Sequence, residues 1–347
     1  MKFAPFLRLG VACAASTLVT ACASPSASLT PSAVTSIGAS GPHADRHTGS
    51  WMAKGLKQRD LLYVSNGNGT VSVYRYWQRT LVGVLTKFTQ PMAGCSDTAG
   101  NVYIPDYQAK KIVEYAHGNA KPLRTIDDAP YTPYGCAVSP TTGDLAVANY
   151  GQRQYSYYGS GNVAVYVRAS GNPVFYGSSD DNHFMSVAYD DHGDLLALTD
   201  SGYSGHWYYY PYFYYLPKKS AKLILMNLPG PSRSWYWDYA VNVAFDGKYW
   251  VVNSRDLYLY SINVQAQYIR EVGLSSTYGG LGAVAFYRKS LKGEATQIIG
   301  PSDQYGGKSA IDFWKYPAGG GPIDTVTQDL DEPTGAAISM GTPGGAQ

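Results

Sequence analysis

The chain has 347 residues, 15% of them charged, and a formal net charge of +2 at neutral pH. Nucleic-acid binding would need a basic stripe, and Lys and Arg form no such cluster here, so we expect no nucleic-acid partner. The 38 Gly and 32 Tyr instead favour an all-β protein with many turns and aromatic-rich strands.

Residues 1–21 have the pattern of an export signal. Lys2 and Arg8 give a positive start, and an apolar run follows that is too short to span a membrane by itself. The run ends in LVTAC (18–22), which resembles the bacterial lipobox, where small residues precede a Cys that becomes lipidated. The resemblance implies a signal peptide over 1–21 and acyl chains on Cys22, which would anchor the chain to the membrane.

The export signal predicts the location of the protein in the cell. A lipidated Cys22 followed by Ala23 favours the cell envelope, at the outer membrane or cell surface, over the cytoplasm. The alternative is an ordinary signal cleaved at an A-x-A-like site over 21–23, which would leave a soluble secreted protein.

Three further regions are predicted after the signal. Residues 22–55 are the lipidated Cys and a tether rich in Ser, Ala, Thr, Pro and Gly, with too few apolar residues to order itself. Residues 56–340 form the folded domain, and 341–347 form a disordered tail.

A short strand that ends in a polar residue recurs along the folded domain. The copies are DLLYVSN (60–66), NVYIPDY (101–107), DLAVANY (144–150), DLLALTD (194–200), KYWVVNS (248–254) and TQIIGPS (296–302). Strand-like units repeating every 40 to 50 residues or so are typical of β-propellers, whose blades cannot bury their faces alone.

Each copy is predicted to lie second in a four-stranded blade, after an inner strand and a Gly-containing hairpin turn. The predicted third strands are 70–76, 111–117, 162–168, 222–228, 257–263 and 310–316. The predicted outer strands are 82–88, 122–126, 173–177, 234–238, 268–273 and 322–327. The inner strand of the first blade would be DEPTGAAIS (331–339), so that strands from both chain ends share one blade and close the ring. The prediction is a monomeric, six-bladed, all-β propeller.

Two of these units have a recognisable sequence. GCAVSPTTGDLAVAN (135–149) and GCSDTAGNVYIPD (94–106) resemble the repeat of the NHL-repeat and SMP-30/gluconolactonase-like propellers. The resemblance covers about 56–340. It implies the fold, and it allows a metal-dependent lactonase-like activity, in which Glu, Asn and Asp near the starts of inner strands hold a divalent cation in the central channel. Asn242 is the residue at those starts that matches such a ligand.

Polar residues recur where the second strand of each blade ends. The members of this strand-end ring are Asn66, Asp106, Asn149, Asp200, Asn253 and Asp303. Carboxylate and amide oxygens at the channel mouth are suited to a hydrated cation, but the same residue types also satisfy backbone groups in turns. The metal-dependent hydrolase is therefore the alternative function, and no cofactor is expected otherwise.

Cys95 and Cys136 occupy matching positions on the inner strands of consecutive blades. In an oxidising compartment such a pair is a candidate disulfide. The spacing of neighbouring blades near the axis counts against the bond, because it can exceed the limit of about 7 Å between the Cα atoms of a disulfide. The alternative is two small side chains that pack against the channel wall.

Aromatic residues are concentrated in three segments of blades 3 to 5, including a long insertion predicted after the second strand of blade 4, 201–221. The predicted members of this aromatic face are Tyr155, Tyr157, Tyr158, Trp207, Tyr208, Tyr209, Tyr210, Tyr212, Phe213, Trp235 and Trp237. Long insertions are often functional, and Tyr and Trp are favoured where a surface binds a partner. We expect a polysaccharide or another envelope protein to bind here, in a binding or scaffolding role rather than catalysis; the alternative is that the rings pack together over the edge of a blade.

Overall fold

The described residues of a computed structural model are 49–151, 161–177, 182–201, 211–230, 240–254, 256–290, 293–304 and 307–342. In them, six antiparallel sheets form a six-bladed β-propeller, which confirms the predicted fold class. Regular helix in this part of the chain is limited to the short 3-10 turn Val167–Ala169. Across the described ranges no helix has the length and apolar character needed to cross a membrane.

The first three blades contain the strands up to residue 176. These are β1 Trp51–Met52, β2 Leu61–Asn66, β3 Val71–Arg75 and β4 Thr80–Leu85 in blade 1; β5 Cys95–Ser96, β6 Val102–Asp106, β7 Lys111–Tyr115 and β8 Pro122–Asp127 in blade 2; and β9 Pro133–Val138, β10 Leu145–Asn149, β11 Asn162–Tyr166 and β12 Val174–Tyr176 in blade 3.

The remaining strands form blades 4 to 6 and return to blade 1. These are β13 Asn182–Tyr189, β14 Leu195–Ser201, β15 Tyr212–Leu216 and β16 Ile224–Met226 in blade 4; β17 Asn242–Phe245, β18 Trp250–Asn253, β19 Leu257–Ile262 and β20 Ala266–Val272 in blade 5; β21 Ala285–Tyr287, β22 Gln297–Gln304, β23 Lys308–Lys315 and β24 Asp324–Val326 in blade 6; and β25 Pro333–Ser339.

Ring closure follows the prediction. β25 pairs antiparallel with β2, with Leu61 opposite Ser339 and Tyr63 opposite Ala337, so blade 1 takes its inner strand from the far end of the chain. Side chains of β3 strengthen this closure, because the Tyr74 hydroxyl donates to the Gln328 carbonyl at 2.6 Å.

Hairpin turns between inner and second strands depend on glycine. The turns of blades 2 to 5 contain glycines with φ between 74° and 102°, a region that residues with a Cβ rarely adopt. These are Gly100, Gly143, Gly193 and Gly247.

The apolar core consists of six clusters, each of which joins two neighbouring blades. Between blades 1 and 6, for example, Leu62 and Val64 of β2 pack with Ile299 of β22. A blade has apolar residues on both faces of its second strand, so it is buried only when it has a neighbour on each side.

Blade 1 has a fifth strand that the sequence does not predict. β1 pairs with the outer strand β4, with Trp51 opposite Val84, and Leu56 is buried in the cluster between blades 1 and 2. The fold therefore includes residues predicted to belong to the tether (22–55), because the edge of β4 offers backbone partners to this short segment.

Blade 4 differs from the prediction in the order of its strands. The third strand is β15, part of the segment predicted as an insertion, and the predicted third strand 222–228 contains the outer strand β16 instead. The run YFYYL has strong β-propensity, and Phe213 pairs opposite Leu198 of β14. The predicted outer strand 234–238 lies outside the described residues.

Cys95 and Cys136 form a disulfide between the inner strands of blades 2 and 3, with their Cα atoms 5.6 Å apart. The two blades are close enough for the bond because small residues let these strands approach each other. Ala93 of blade 2 bridges directly to Gly135 of blade 3, and a Cβ on Gly135 would lie 2.9 Å from the Met185 carbonyl of blade 4.

We expect Cys136→Ser to lower the free energy of unfolding by about 3–4 kcal/mol, because the disulfide closes a loop between residues 41 apart and restricts the unfolded chain. Denaturant titration of both single variants and of the reduced wild type measures this. The double variant Cys95→Ser/Cys136→Ser is the control and should equal either single variant. A double variant much less stable than the singles would contradict a role for the bond itself.

Candidate functional site

A central cavity of about 280 Å³ lies where the inner strands meet. Backbone and small or apolar side chains form most of its wall, with Ser186, Asn242 and Thr334 among the polar residues. Among the described residues of the wall, none is acidic or basic. The described part of the wall therefore provides no carboxylate, imidazole or ammonium group for general acid or base catalysis.

Asn242, the predicted metal ligand, is used within the protein. Its side-chain oxygen accepts hydrogen bonds from the Val284 backbone N–H at 3.1 Å and from Asn253 at 2.9 Å. Its side-chain amide donates to the Val284 carbonyl at 3.0 Å. No group of three or more His, Cys, Asp or Glu suited to a metal ion occurs among the described residues, so this part of the chain adds no ligand set to the lactonase-like alternative.

The strand-end ring is present as a feature of the backbone, because each member is the last or second-to-last residue of its strand. Its members hold the connections between blades. The buried Asp106 carboxylate accepts from the backbone N–H groups of Thr89 and Gln90, at 3.1 and 2.9 Å, and the Asn66 side chain accepts from Asp331 N–H at 3.2 Å. None of the ring members lines the central cavity, which favours the turn-satisfying interpretation for most of them.

Asn149 of the ring adjoins a buried acid that the sequence does not single out. Asp128, 2% exposed, accepts a hydrogen bond from the Tyr166 hydroxyl at 2.5 Å. Burial raises the pKa of Asp128 to about 7, while hydrogen bonds from Tyr166 and Asn149 act in the opposite direction. Within the described residues, Oδ2 of Asp128 and Oδ1 of Asn149 are both buried without a hydrogen-bond partner.

Four rings meet at the end of the second strands of blades 2 to 4. We call Tyr107, Tyr134, Tyr150 and His183 the tyrosine stack. Tyr150 stacks on His183 with centroids 4.1 Å apart, and Tyr134 stacks on Tyr150 at 5.6 Å. Tyr107 meets Tyr134 edge to face at 5.9 Å. Such contacts stabilise the rings beyond the area that they bury.

Asp200 connects the tyrosine stack to the strand-end ring. Its two carboxylate oxygens lie 3.2 Å from the Tyr150 hydroxyl and 2.9 Å from Nδ1 of His183. Burial, and then the charge of Asp200, raise the pKa of Tyr150, so its hydroxyl remains a donor. Asp200 is thus the ring member that meets an aromatic cluster.

Of the predicted aromatic face, the structure describes Tyr212 and Phe213, and both lie in strand β15 rather than in a loop. Phe213 is 3% exposed and packs between blades 4 and 5, so it cannot belong to a binding surface; Tyr212 is 41% exposed. The other members fall outside the described residues: Tyr155, Tyr157, Tyr158, Trp207, Tyr208, Tyr209, Tyr210, Trp235 and Trp237.

Sequence reasoning missed the tyrosine stack, although a signal was present. In NVYIPDY and DLAVANY a Tyr directly follows the polar residue at the strand end, which places Tyr107 and Tyr150 at equivalent positions of neighbouring blades. The aromatic-rich segments predicted in blades 3 and 4 follow Tyr150 and Asp200 in the chain.

Comparison with known proteins supports the architecture. No family model matches the chain, and no curated protein matches it. A protein of unknown function from Bacteroides caccae is similar in structure, with a TM-score of 0.57 and 10% identity over 81% of this chain and 99% of that one. The β-propeller domain of Myceliophteria thermophila Cps50 (Swd1) gives a TM-score of 0.51 and 12% identity over 82% of this chain and 88% of that one. At these identities the likeness concerns the propeller fold alone.

We expect the contribution of Asp128 to the free energy of unfolding to fall as pH rises from about 4 to about 7 and to level off above that. The folded state holds the Asp128 proton more tightly than the unfolded state does, so the stabilisation is complete at low pH and is lost as pH rises through the raised pKa. The loss should reach a few kcal/mol, at about 1.4 kcal/mol per pKa unit.

Denaturant titrations across this pH range measure the effect. Asp128→Asn should remove this part of the slope, whereas Asp331→Asn, at an exposed position, is the control and should keep it. An unchanged slope in Asp128→Asn would contradict the assignment.

Proposed function

We propose that this chain is an exported, lipid-anchored propeller that binds a ligand at the cell envelope through an aromatic face. The observation behind the proposal is the tyrosine stack with Asp200, from which the aromatic-rich insertions of blades 3 and 4 begin in the chain. A rigid ring that presents aromatic rings and a fixed acceptor is suited to binding or scaffolding.

Binding is favoured over catalysis by the surroundings of the titratable groups. The carboxylate of Asp200 is shared by Tyr150 and His183, and the wall of the central cavity has no acidic or basic side chain among the described residues. A hydrolase needs such a group within reach of the reacting atoms. The lactonase-like alternative therefore has no observation in its favour, and kinship with NHL-repeat or SMP-30-like proteins remains a prediction from the sequence.

The chemistry of the cluster favours a polysaccharide as the ligand. Tyr134 and Tyr150 are half-buried and offer ring surface for the apolar face of a sugar, and phenol and carboxylate groups suit its hydroxyls. The other candidate ligand is an envelope protein, which a binding experiment can also identify.

We expect Tyr150→Ala to weaken polysaccharide binding at least about tenfold, or about 1.4 kcal/mol, through loss of the central ring of the stack. Glycan arrays, followed by calorimetry on the glycan that binds, measure this with the full chain. Tyr150→Phe keeps the ring and removes its hydrogen bond to Asp200, so it separates stacking from positioning.

Tyr249→Ala is the matched control, because Tyr249 is also a half-buried tyrosine but lies before β18 of blade 5. Thermal unfolding of each variant checks that it is folded. Equal losses in Tyr150→Ala and Tyr249→Ala, or glycan binding that neither changes, would contradict the assigned face. If the chain binds envelope proteins and no glycan, the ligand is an envelope protein and not a polysaccharide.

The anchor has a separate test, since Cys22 lies outside the described residues. We expect cells that express the full chain to incorporate labelled palmitate into it, and Cys22→Ala to abolish both the label and membrane association. Cys13→Ala is the control and should keep both. A label that persists in Cys22→Ala would contradict lipidation at this residue.

A further inference from the structure

A second candidate surface is a groove of about 560 Å³ between blades 1 and 2, which shares no lining residue with the tyrosine stack. We call it the lysine groove because Lys87, Lys111 and Lys121 line it. They come from the connection after β4, from β7 and from the turn before β8. A cleft of this size is in the usual range of small-molecule sites, a few hundred Å³.

The charge of the groove is positive. Its described lining residues include no Asp or Glu. Lys87 and Lys121 are exposed, and within the described chain neither side chain has an ion-pair partner. Two ammonium groups without an ion-pair partner at one cleft repel each other unless an anion joins them.

Two acidic residues adjoin Lys111 and offset its charge, so the excess positive charge of the groove comes from Lys87 and Lys121. Asp106 lies 3.9 Å from the Lys111 ammonium, and its buried carboxylate also accepts backbone hydrogen bonds from Thr89 and Gln90. Asp127 is opposite Lys111 in the strand register, and its side chain accepts from Ala129 N–H at 3.1 Å.

The rest of the groove combines hydroxyls with an apolar base. Ser50 and Thr86 lie at one side, with their hydroxyl oxygens 3.3 Å apart, and the base includes the buried side chains of Phe88, Val113 and Tyr115. Lys87 has a φ of 76°, an uncommon conformation for a residue with a Cβ. Such strain persists where the surroundings fix it and is enriched at ligand sites.

We propose that the lysine groove binds a phosphate ester. Ammonium groups act as strongly hydrated point charges and are regular phosphate ligands, and hydroxyl donors complete the shell of phosphate oxygens. The apolar base accommodates the carbon part of the ester.

The phosphate ester has two sources, a lipid headgroup or a soluble phosphorylated molecule. Gly49 and Ser50, the first described residues of the chain, line the groove, and Cys22 precedes them in the same chain. This groove is independent of the tyrosine stack, so either proposal can fail without the other.

The test uses the full chain and two probes. Calorimetric titration with inorganic pyrophosphate reports a soluble phosphate. Flotation with phosphatidylcholine vesicles, with and without phosphatidylglycerol, reports a headgroup, and the difference between the two vesicle types removes any contribution of acyl chains. Both effects should weaken as salt is added.

Lys87→Gln/Lys121→Gln should reduce the binding at least about tenfold. The control Lys222→Gln/Lys315→Gln removes the same charge at exposed positions of blades 4 and 6 and should change little. A preference for anionic vesicles that the first variant loses assigns a lipid headgroup; pyrophosphate binding without that preference assigns a soluble ester. Binding to neither probe, or equal losses in both variants, overturns the proposal.

Discussion

The pairing of β2 with β25 is the constraint on which the rest of the structure depends. Each apolar cluster lies between two blades, so the two blades at an open gap would each expose an apolar face. Blade 1 closes the gap with Leu61 to Asn66 from the start of the domain and Pro333 to Ser339 from its end. Because this closure joins residues far apart in the chain, it costs loop entropy that the burial of the last two faces must offset.

Inside the closed ring, polar residues at strand ends have a shared structural task. Asp106 and Asn66 satisfy the backbone of connections that lead from one blade to the next, and Asn253 donates to the Gly282 carbonyl at 2.8 Å. Only a departure from this pattern is informative about function, and Asp200 departs from it by bonding Tyr150 and His183. The candidate site is thus built on a position that the fold requires in any case.

The sequence predicts the architecture well because blades repeat. Alternating apolar residues, Gly turns and a matching C-terminal strand predict the four repeated strands of every blade except blade 4, and also the closure; they do not predict β1. The prediction fails in blade 4, where the aromatic composition of YFYYL fits a loop insertion and a strand equally well. Pairing with β14 makes this segment a strand. The tyrosine stack is harder to predict, because Tyr107, Tyr134 and Tyr150 come together only through the angle between neighbouring blades.

The fifth strand of blade 1 determines how the domain would respond to mechanical force. A pull on the chain ahead of Gly49 would act first on β1, which two residue pairs hold to β4 and which can peel away one hydrogen bond at a time. Leu56, buried between blades 1 and 2, would then hold the chain before any load reached β2 and the closure. β1 would therefore detach from β4 first, so the chain would extend under tension while the ring stays closed.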